Sequence, residues 1–346
     1  MSKVGIVSYG TYIPKYRIKI EETAKVWEED SNEILSQLQV NAKSVPGPDE
    51  DVVTMSVESA KNAVNRWGGN CQEIGAIYVG SESHPYAVKP TATFVAAALD
   101  AEESLTAADL EFACKAGTAG MQMCFGLAKS DMIKYGVAIG ADSSQAQPRD
   151  PLEYTAGAGS AAFLIGKERI IAELEGTFSI TTDMPDFWRR EGAEFPSHGN
   201  RFTGAPAYFD HIIKASKRLM EQLGTEPSDY KYVTFHQPNT KFPLSAAKML
   251  GFSKEQIDLS LVCKEVGNSY SASSMIGLAQ ILNHSEPGDR IFVTSYGSGA
   301  GSDAFSFLVT ELIENMKTYP YNVDYYLNRK KYIDYGTYAR FKGVLR

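Results

Sequence analysis

The sequence carries two copies of one strand-and-loop pattern, and that repeat limits the folds open to it more than any other feature. The strand GAIYVG followed by Ser81-Glu82 has a counterpart in YVTF followed by His236-Gln237, and GAGSAAFLI (157–165) has one in GAGSDAFSFLV (299–309). Cys114 lies 32 residues after Glu82, and Asn268, in Gly267-Asn268-Ser269, lies 32 after His236. Equivalent loops of two related halves would therefore present Glu82 with His236, and Cys114 with Asn268. In open α/β sheets the chemistry gathers outside the carboxyl ends of the strands. Two halves facing each other across a pseudo-twofold axis would bring those ends into one cleft.

Between the repeated pieces, short runs rich in Val, Ile, Tyr and Phe alternate with helical patterns. The runs are VGIVSYG (4–10), IGAIYVG (74–80), YGVAIGA (135–141), SAAFLIG (160–166), YKYVTFH (230–236), RIFVTSYG (290–297) and DAFSFLVT (303–310). Interleaving of this kind predicts an α/β protein with its sheet or sheets covered on both faces. The expected division is residues 1–167, carrying Glu82 and Cys114, and residues 168–346, carrying His236 and Asn268. The second part ends in a stretch, 317–346, rich in Tyr and in Lys and Arg, which reads either as a tail wrapped over the core or as a protein-docking surface.

Composition removes several function classes. The 346 residues are 43% hydrophobic and 22% charged, ordinary for a soluble globular chain of two domain-sized cores. Apolar runs fall short of the roughly 18 to 20 residues that span a bilayer, and MSKVGIVSYG lacks the features of a signal peptide, so a cytoplasmic protein with no membrane contact is expected. Cysteines 71, 114, 124 and 263 form no Cys-x-x-Cys pair and no histidines cluster with them, which indicates neither a metal site nor a disulfide framework. A net charge of −8 argues against nucleic acid as a partner.

Cys114 stands in EFACKAGTAG, where an apolar run gives way to small residues. The following KAGTAGMQMCFGL reads as a buried helix, placing Cys114 at its N-terminus, where free N–H groups and the helix dipole would lower the thiol pKa and make a nucleophile. The alternative is a buried structural cysteine, which is how Cys71, Cys124 and Cys263 read. His236 ends an apolar strand in VTFHQPN, opposite Cys114 in the duplicated scheme. His84 carries less signal, His211 and His284 read as structural, and His198 as a residue that lines a ligand channel. Glu82, in GSESHP, is either a solvated loop carboxylate or a base whose pKa is raised by desolvation. The glycine-rich SYGSGAGS (295–302) runs into a strand rather than a helix, so it is not a dinucleotide loop. It suits either a tight turn or an oxyanion hole built from the Ser298 and Cys114 amides.

Together, Cys114 in EFACKAGTAG, His236 in FHQPN, Asn268 in GNSYSASS and the loop SYGSGAGS resemble the thiolase superfamily of condensing enzymes, and within it the archaeal type of hydroxymethylglutaryl-CoA synthase. YIPKYRI, PDEDVVTMSVESA, TAGAGSAAFLIG and HGNRFTGAPAYF agree, and the similarity covers nearly the whole chain. The resemblance implies a five-layered αβαβα core built from two duplicated halves. It implies condensation of acetyl-CoA with acetoacetyl-CoA and water to 3-hydroxy-3-methylglutaryl-CoA and CoA, a step toward mevalonate and isoprenoids, with no metal or redox cofactor. In that scheme Cys114 takes the acetyl group, Glu82 removes a methyl proton, and His236 holds the acetoacetyl thioester and helps protonate the new alkoxide. Asn268 and the Ser298 amide orient and polarise carbonyls, while Thr155, Thr203 and Lys241 touch the substrate or its CoA arm. A homodimer or larger assembly is implied, and a complex with an acetoacetyl-CoA thiolase through a small OB-fold bridging protein.

Two relatives of the same fold and one non-enzymatic reading compete with this. A degradative thiolase carries a second catalytic cysteine where this chain has SYGSG. An initiating β-ketoacyl-carrier-protein synthase has a Cys-His-Asn set and a motif close to His236-Gln237-Pro238-Asn239, but makes its carbanion by decarboxylation and has no use for Glu82. A non-catalytic CoA-binding scaffold would not need Cys114, Glu82 and His236 together.

Overall fold

Nine strands hydrogen-bond side by side, and eight of them are ordered symmetrically about one junction. The computed structural model describes residues 3–143 and 145–345. The first half supplies β1 (Gly5–Tyr12), β2 (Ile74–Gly80), β3 (Thr106–Leu110), β4 (Tyr135–Ser143) and β5 (Ala158–Gly166); the second supplies β6 (Ala172–Met184), β7 (Tyr232–Phe235), β8 (Arg290–Thr294) and β9 (Gly299–Val309). Their order is β7-β8-β9-β6-β1-β5-β4-β2-β3. Parallel β2–β4 matches parallel β7–β8, antiparallel β4–β5 matches β8–β9, and antiparallel β5–β1 matches β9–β6. A short antiparallel contact, Gly5 with Glu173 and Ile6 with Ala172, joins the halves. The duplicated sequence pieces are thus β2 with β7 and β5 with β9. Strand β3 pairs parallel with β2 and has no counterpart among the described strands.

Six helices complete the layers: α1 (Val52–Trp67), α2 (Thr91–Ala98), α3 (Ala116–Lys129), α4 (Phe209–Leu223), α5 (Lys241–Leu250) and α6 (Ser273–His284). One apolar cluster joins α1 and α2 to the first half-sheet, with Val52, Met55 and Trp67 on Val137 and Leu164. Another joins α4 and α5 to the second, with Ile212 and Leu219 on Val233 and Phe292. Between the half-sheets lies a third, where Phe125 of α3 and Met275 of α6 pack against Ala138 and Phe163 on one side and Phe305 and Phe307 on the other. The result is the expected αβαβα sandwich, with α3 and α6 as its middle layer.

Local sequence explains the elements that hold this frame. Helix α1 starts at a capping box, in which Asp51 accepts from Thr54 N–H and Thr54 accepts from Asp51 N–H, and it stops at Gly68, whose φ of 64° suits glycine. Its buried positions 52, 55, 56, 59, 60, 62, 63, 64, 66 and 67 form one broad helical face. All seven apolar runs read from sequence are strands. Two strands lacked that signal: β6 is long, mostly half-exposed and polar, and β3 is an edge strand, TAADL, with two exposed residues.

The Tyr-rich C-terminal stretch wraps back over the first half. Residues Lys331–Tyr332 add a parallel strand to Tyr16–Lys19, and the Tyr335 hydroxyl donates to Glu153 Oε1 at 2.9 Å. Tyr338 covers the buried Lys43, whose ammonium donates to its hydroxyl at 3.0 Å. Among the described residues no helix is long and apolar enough to cross a membrane.

Candidate active site

Glu82 and Cys114 leave the carboxyl ends of neighbouring parallel strands, β2 and β3, and meet there. The Cys114 Sγ–H donates to Glu82 Oε1 at 2.9 Å. Cys114 is 6% exposed, and beside it opens a cavity of about 930 Å³ whose wall includes Glu82, Phe112, Asp142, Arg189, Tyr270 and Ser298. Ala113, next to the cysteine, has φ 43°, so the turn delivering the thiol is in the left-handed region.

The electrostatics differ from the sequence expectation. Helix α3 begins at Ala116 with Lys115 as its cap, so Cys114 precedes the helix rather than opening it. Burial, and then the Glu82 carboxyl, push the thiol well above its ordinary range. The predicted helix-stabilised thiolate is therefore corrected: the resting sulfur is a neutral thiol that donates a hydrogen bond. Burial, and then the charge of Asp142, push the Glu82 carboxyl up to about 8, against the Cys114 hydrogen bond and the Arg189 cation. The carboxyl is the nearest acceptor for the sulfur's proton, and its raised pKa gives it the basicity to take a proton from carbon.

His236 leaves β7, the counterpart of β2, and is 2% exposed. Its backbone N–H donates to Thr294 O at 3.0 Å, and its carbonyl accepts from the Tyr208 hydroxyl at 2.7 Å. Burial pushes its imidazole down to about 3, so the ring is neutral and offers an N–H rather than a standing positive charge. Its Nδ1 is buried and has no hydrogen-bond partner among the described residues. The Tyr296 ring lies 6.4 Å from it, and the Tyr296 hydroxyl donates to Asp186 Oδ2 at 2.7 Å. Asp186 also accepts from Gly299 N–H, and Gly299 lines the cavity beside Cys114.

The remaining expected residues divide into two groups. Asn268 and Thr155 are buried together: Asn268 N–H donates to Thr155 O at 2.7 Å, and Asn268 Oδ1 accepts from Tyr270 N–H at 2.8 Å. Ser298 shares the cavity wall with Glu82. Among the described residues, Thr203 reaches the site through Asp186, whose carbonyl accepts from its hydroxyl at 3.4 Å. Lys241 stands exposed at the first position of α5, outside this cluster. His198 holds Asp150 at 3.1 Å, His211 bridges Ala207 O and Thr182, and His284 ends α6 against Asp324.

Two buried aspartates escaped the sequence reading. Asp142, at the end of β4, accepts from Ser81 Oγ, Glu82 N–H and Ser83 Oγ through Oδ1 (2.8, 2.8 and 2.7 Å), and from Ser271 N–H through Oδ2 at 2.8 Å. It thereby ties the Glu82 loop to the second half. Asp186 accepts from the Tyr296 hydroxyl and from Gly299 N–H at 2.8 Å, which anchors the glycine loop. An acidic residue directly after an apolar strand, as in GADSS, was the available signal for Asp142; Asp186, in MPDFW, had none.

The family description "3-Oxoacyl-[acyl-carrier-protein (ACP)] synthase III C terminal" matches residues 220–308, the heart of the second half. Over the full chain the likeness is more specific. Hydroxymethylglutaryl-CoA synthase of Methanopyrus kandleri is 59% identical over 344 residues, 99% of this chain and 98% of that protein. The chain belongs to the hydroxymethylglutaryl-CoA synthase family. The Methanocaldococcus jannaschii family member is likewise 59% identical, over 99% of each chain. Solved structures show the family fold at lower identity. MvaS in complex with 3-hydroxy-3-methylglutaryl coenzyme A superposes with a TM-score of 0.89 at 22% identity, covering 99% of this chain and 92% of that one. HMG-CoA synthase complexed with CoA gives 0.88 at 23% identity, covering 98% and 90%. As a family member the chain is a condensing acyltransferase of thiolase fold.

Proposed function

We propose that this chain condenses acetyl-CoA with acetoacetyl-CoA and water to 3-hydroxy-3-methylglutaryl-CoA and CoA, through an acetyl group carried on Cys114. The observation that carries the reading is the 2.9 Å contact between the Cys114 thiol and the Glu82 carboxyl at the wall of a large cavity. As the sulfur attacks acetyl-CoA, its proton passes to Glu82, which delivers it to the CoA sulfur as CoA departs. The carboxylate, once free of that proton, takes one from the acetyl methyl group, and the resulting carbon nucleophile adds to the ketone carbon of acetoacetyl-CoA. His236 supports the step as a neutral N–H donor to the acetoacetyl group and helps protonate the new alkoxide, the proton that Glu82 took from the methyl group making up the balance. Water then cleaves the thioester to Cys114. Splitting the reaction through a covalent acyl-enzyme lowers each barrier separately.

The division of labour puts Cys114 and Glu82 in residues 1–167, and His236 and Asn268 in 168–346. Asn268 and the Ser298 amide polarise carbonyls, and Thr155, Thr203 and Lys241 contact the substrate or its CoA arm. The exposed ammonium of Lys241 suits an anionic arm outside the buried cluster. CoA thioesters serve as substrates, with no resident cofactor. The same reading makes the protein a cytoplasmic homodimer or larger assembly that docks an acetoacetyl-CoA thiolase through a small OB-fold bridging protein.

The deciding assay mixes the full chain with acetyl-CoA and acetoacetyl-CoA, runs malonyl-carrier-protein in parallel, and identifies the products by mass spectrometry. The expected result is 3-hydroxy-3-methylglutaryl-CoA from the first mixture and acetyl on the Cys114 peptide. A ketoacyl product from the malonyl mixture alone, or an unacetylated Cys114, overturns the proposal.

A further inference from the structure

Directly after Cys114, a buried ion pair crosses between the two halves. Lys115 Nζ lies 3.1 and 3.2 Å from the two carboxylate oxygens of Asp303, with side chains 6% and 2% exposed. Asp303 belongs to β9, five residues past Ser298. Its carboxylate also accepts from Thr118 Oγ1 of α3 and Ser179 Oγ of β6, both at 2.8 Å, and Thr118 Oγ1 meets Ser295 Oγ at 2.7 Å. The stem of the glycine loop and the start of α3 thus share one carboxylate.

The loop itself seats on the cysteine turn. A Cβ on Gly297 would fall 2.4 Å from Phe112 O, and one on Gly301 would fall 2.7 Å from both Lys115 Cε and the Phe112 ring. The Lys115 ammonium sits 4.2 Å over that ring. Glycine at both positions lets the backbones touch. The turn being held includes Ala113 at φ 43°, a conformation that persists only where its surroundings enforce it.

We propose that Lys115 and Asp303 are positioning residues, a latch that fixes Cys114 of the first half against the Ser298 amide of the second, so that sulfur and oxyanion donor reach one carbonyl together. This rests on the acetyl-cysteine reading above. A buried ion pair contributes little net stability compared with a neutral pair of similar volume, so stability alone does not account for it. What two charges do supply is a single register between loops from opposite halves. An error of about 1 Å in that register costs on the order of 100-fold in rate.

The test is the full-length double variant Lys115→Met with Asp303→Asn, which removes both charges together; the amide keeps an acceptor oxygen for one of Thr118 and Ser179, which bond different oxygens of Asp303, and offers an N–H to the hydroxyl of the other. Its thermal midpoint is expected close to wild type, while single-turnover acetylation of Cys114 slows by about 10- to 100-fold with the KM for acetyl-CoA unchanged. A folded double variant that acetylates at the wild-type rate overturns the latch. Hydrogen exchange of amides 297–301, read without substrate, is expected to quicken in the double variant, and unchanged protection also overturns it. If the double variant does not fold, Thr118→Val, which removes one bond to Asp303 and leaves both charges, is read the same way. A slowing of a few-fold supports the latch and the wild-type rate rejects it. Failure of wild-type Cys114 to take acetyl would end the function reading instead, and the exchange measurement would still decide the latch.

Discussion

Glu82 is a carboxylate made basic by its neighbours, and its two partners let that be tested separately. Glu82→Gln keeps the shape and a polar contact for the Cys114 thiol but removes the proton acceptor. Acetyl-Cys114 is expected to form more slowly, because the thiol loses its proton acceptor, and condensation from acetyl-Cys114 once formed falls by about 10²- to 10⁴-fold, checked by peptide mass and product formation in the same samples. The pH dependence follows from the shift. A base must be deprotonated, so the condensation rate rises with pH through about 8, the value to which burial and Asp142 raise this carboxyl. Asp142→Asn removes the negative charge and is expected to move the midpoint of that rise to lower pH. It also leaves the Ser271 N–H without its acceptor, at a cost of about 1–3 kcal/mol in urea unfolding. Folding stability runs the opposite way from rate. The folded chain holds the Glu82 proton more tightly than the unfolded chain, so this contribution is complete below the ordinary 4.5 and is lost as pH rises to about 8. Thermal unfolding of Glu82→Gln across that window is expected to show a flatter pH profile than wild type.

At the scale of elements, the middle layer is set by small residues on α3 and β4. A Cβ on Gly117 would lie 2.5 Å from Met275 Sδ and 2.7 Å from Gly140 Cα; the thioether can swing away, but the strand backbone cannot. Gly117→Ala is therefore expected to destabilise by about 1–3 kcal/mol in urea and to slow acetylation, because the cysteine turn rides on the start of that helix. The candidate residues could be picked out where an element carried them in register. Glu82 and His236 follow equivalent strands, and Cys114 and Asn268 follow them at equal spacing. Where the signal was weak the reading failed: β6 is polar and half-exposed, β3 is a short edge, and neither has the apolar alternation that marks a half-buried strand. Asp142 and Asp186 were missed for a related reason. A single acidic residue in a loop has no period, and only the donors that converge on it from distant segments reveal its work.

For the molecule as a whole, the C-terminal wrap is part of the folded body. Lys43 is 1% exposed and its ammonium is pushed down to about 7 by burial under Tyr338. Deleting residues 331–346 uncovers Lys43 and Ile18 and removes the Tyr335 bond to Glu153. The deletion is expected to cost at least about 3 kcal/mol by denaturant unfolding, from lost apolar burial and the lost hydrogen bonds of Lys331, Ile333, Tyr335 and Tyr338. Unchanged stability would mean that the segment is only laid on the surface. The duplication and the α/β class were settled by sequence alone, because repeats and apolar periodicity are properties of the chain's order. The protonation of the thiol, the basicity of Glu82, the roles of Asp142 and Asp186 and the ion pair behind the nucleophile were decided only by tertiary structure. Each depends on burial and on groups brought near from 32 residues away for Cys114 and Glu82, 60 for Glu82 and Asp142, 110 for Asp186 and Tyr296 and 188 for Lys115 and Asp303, and no local pattern encodes those contacts.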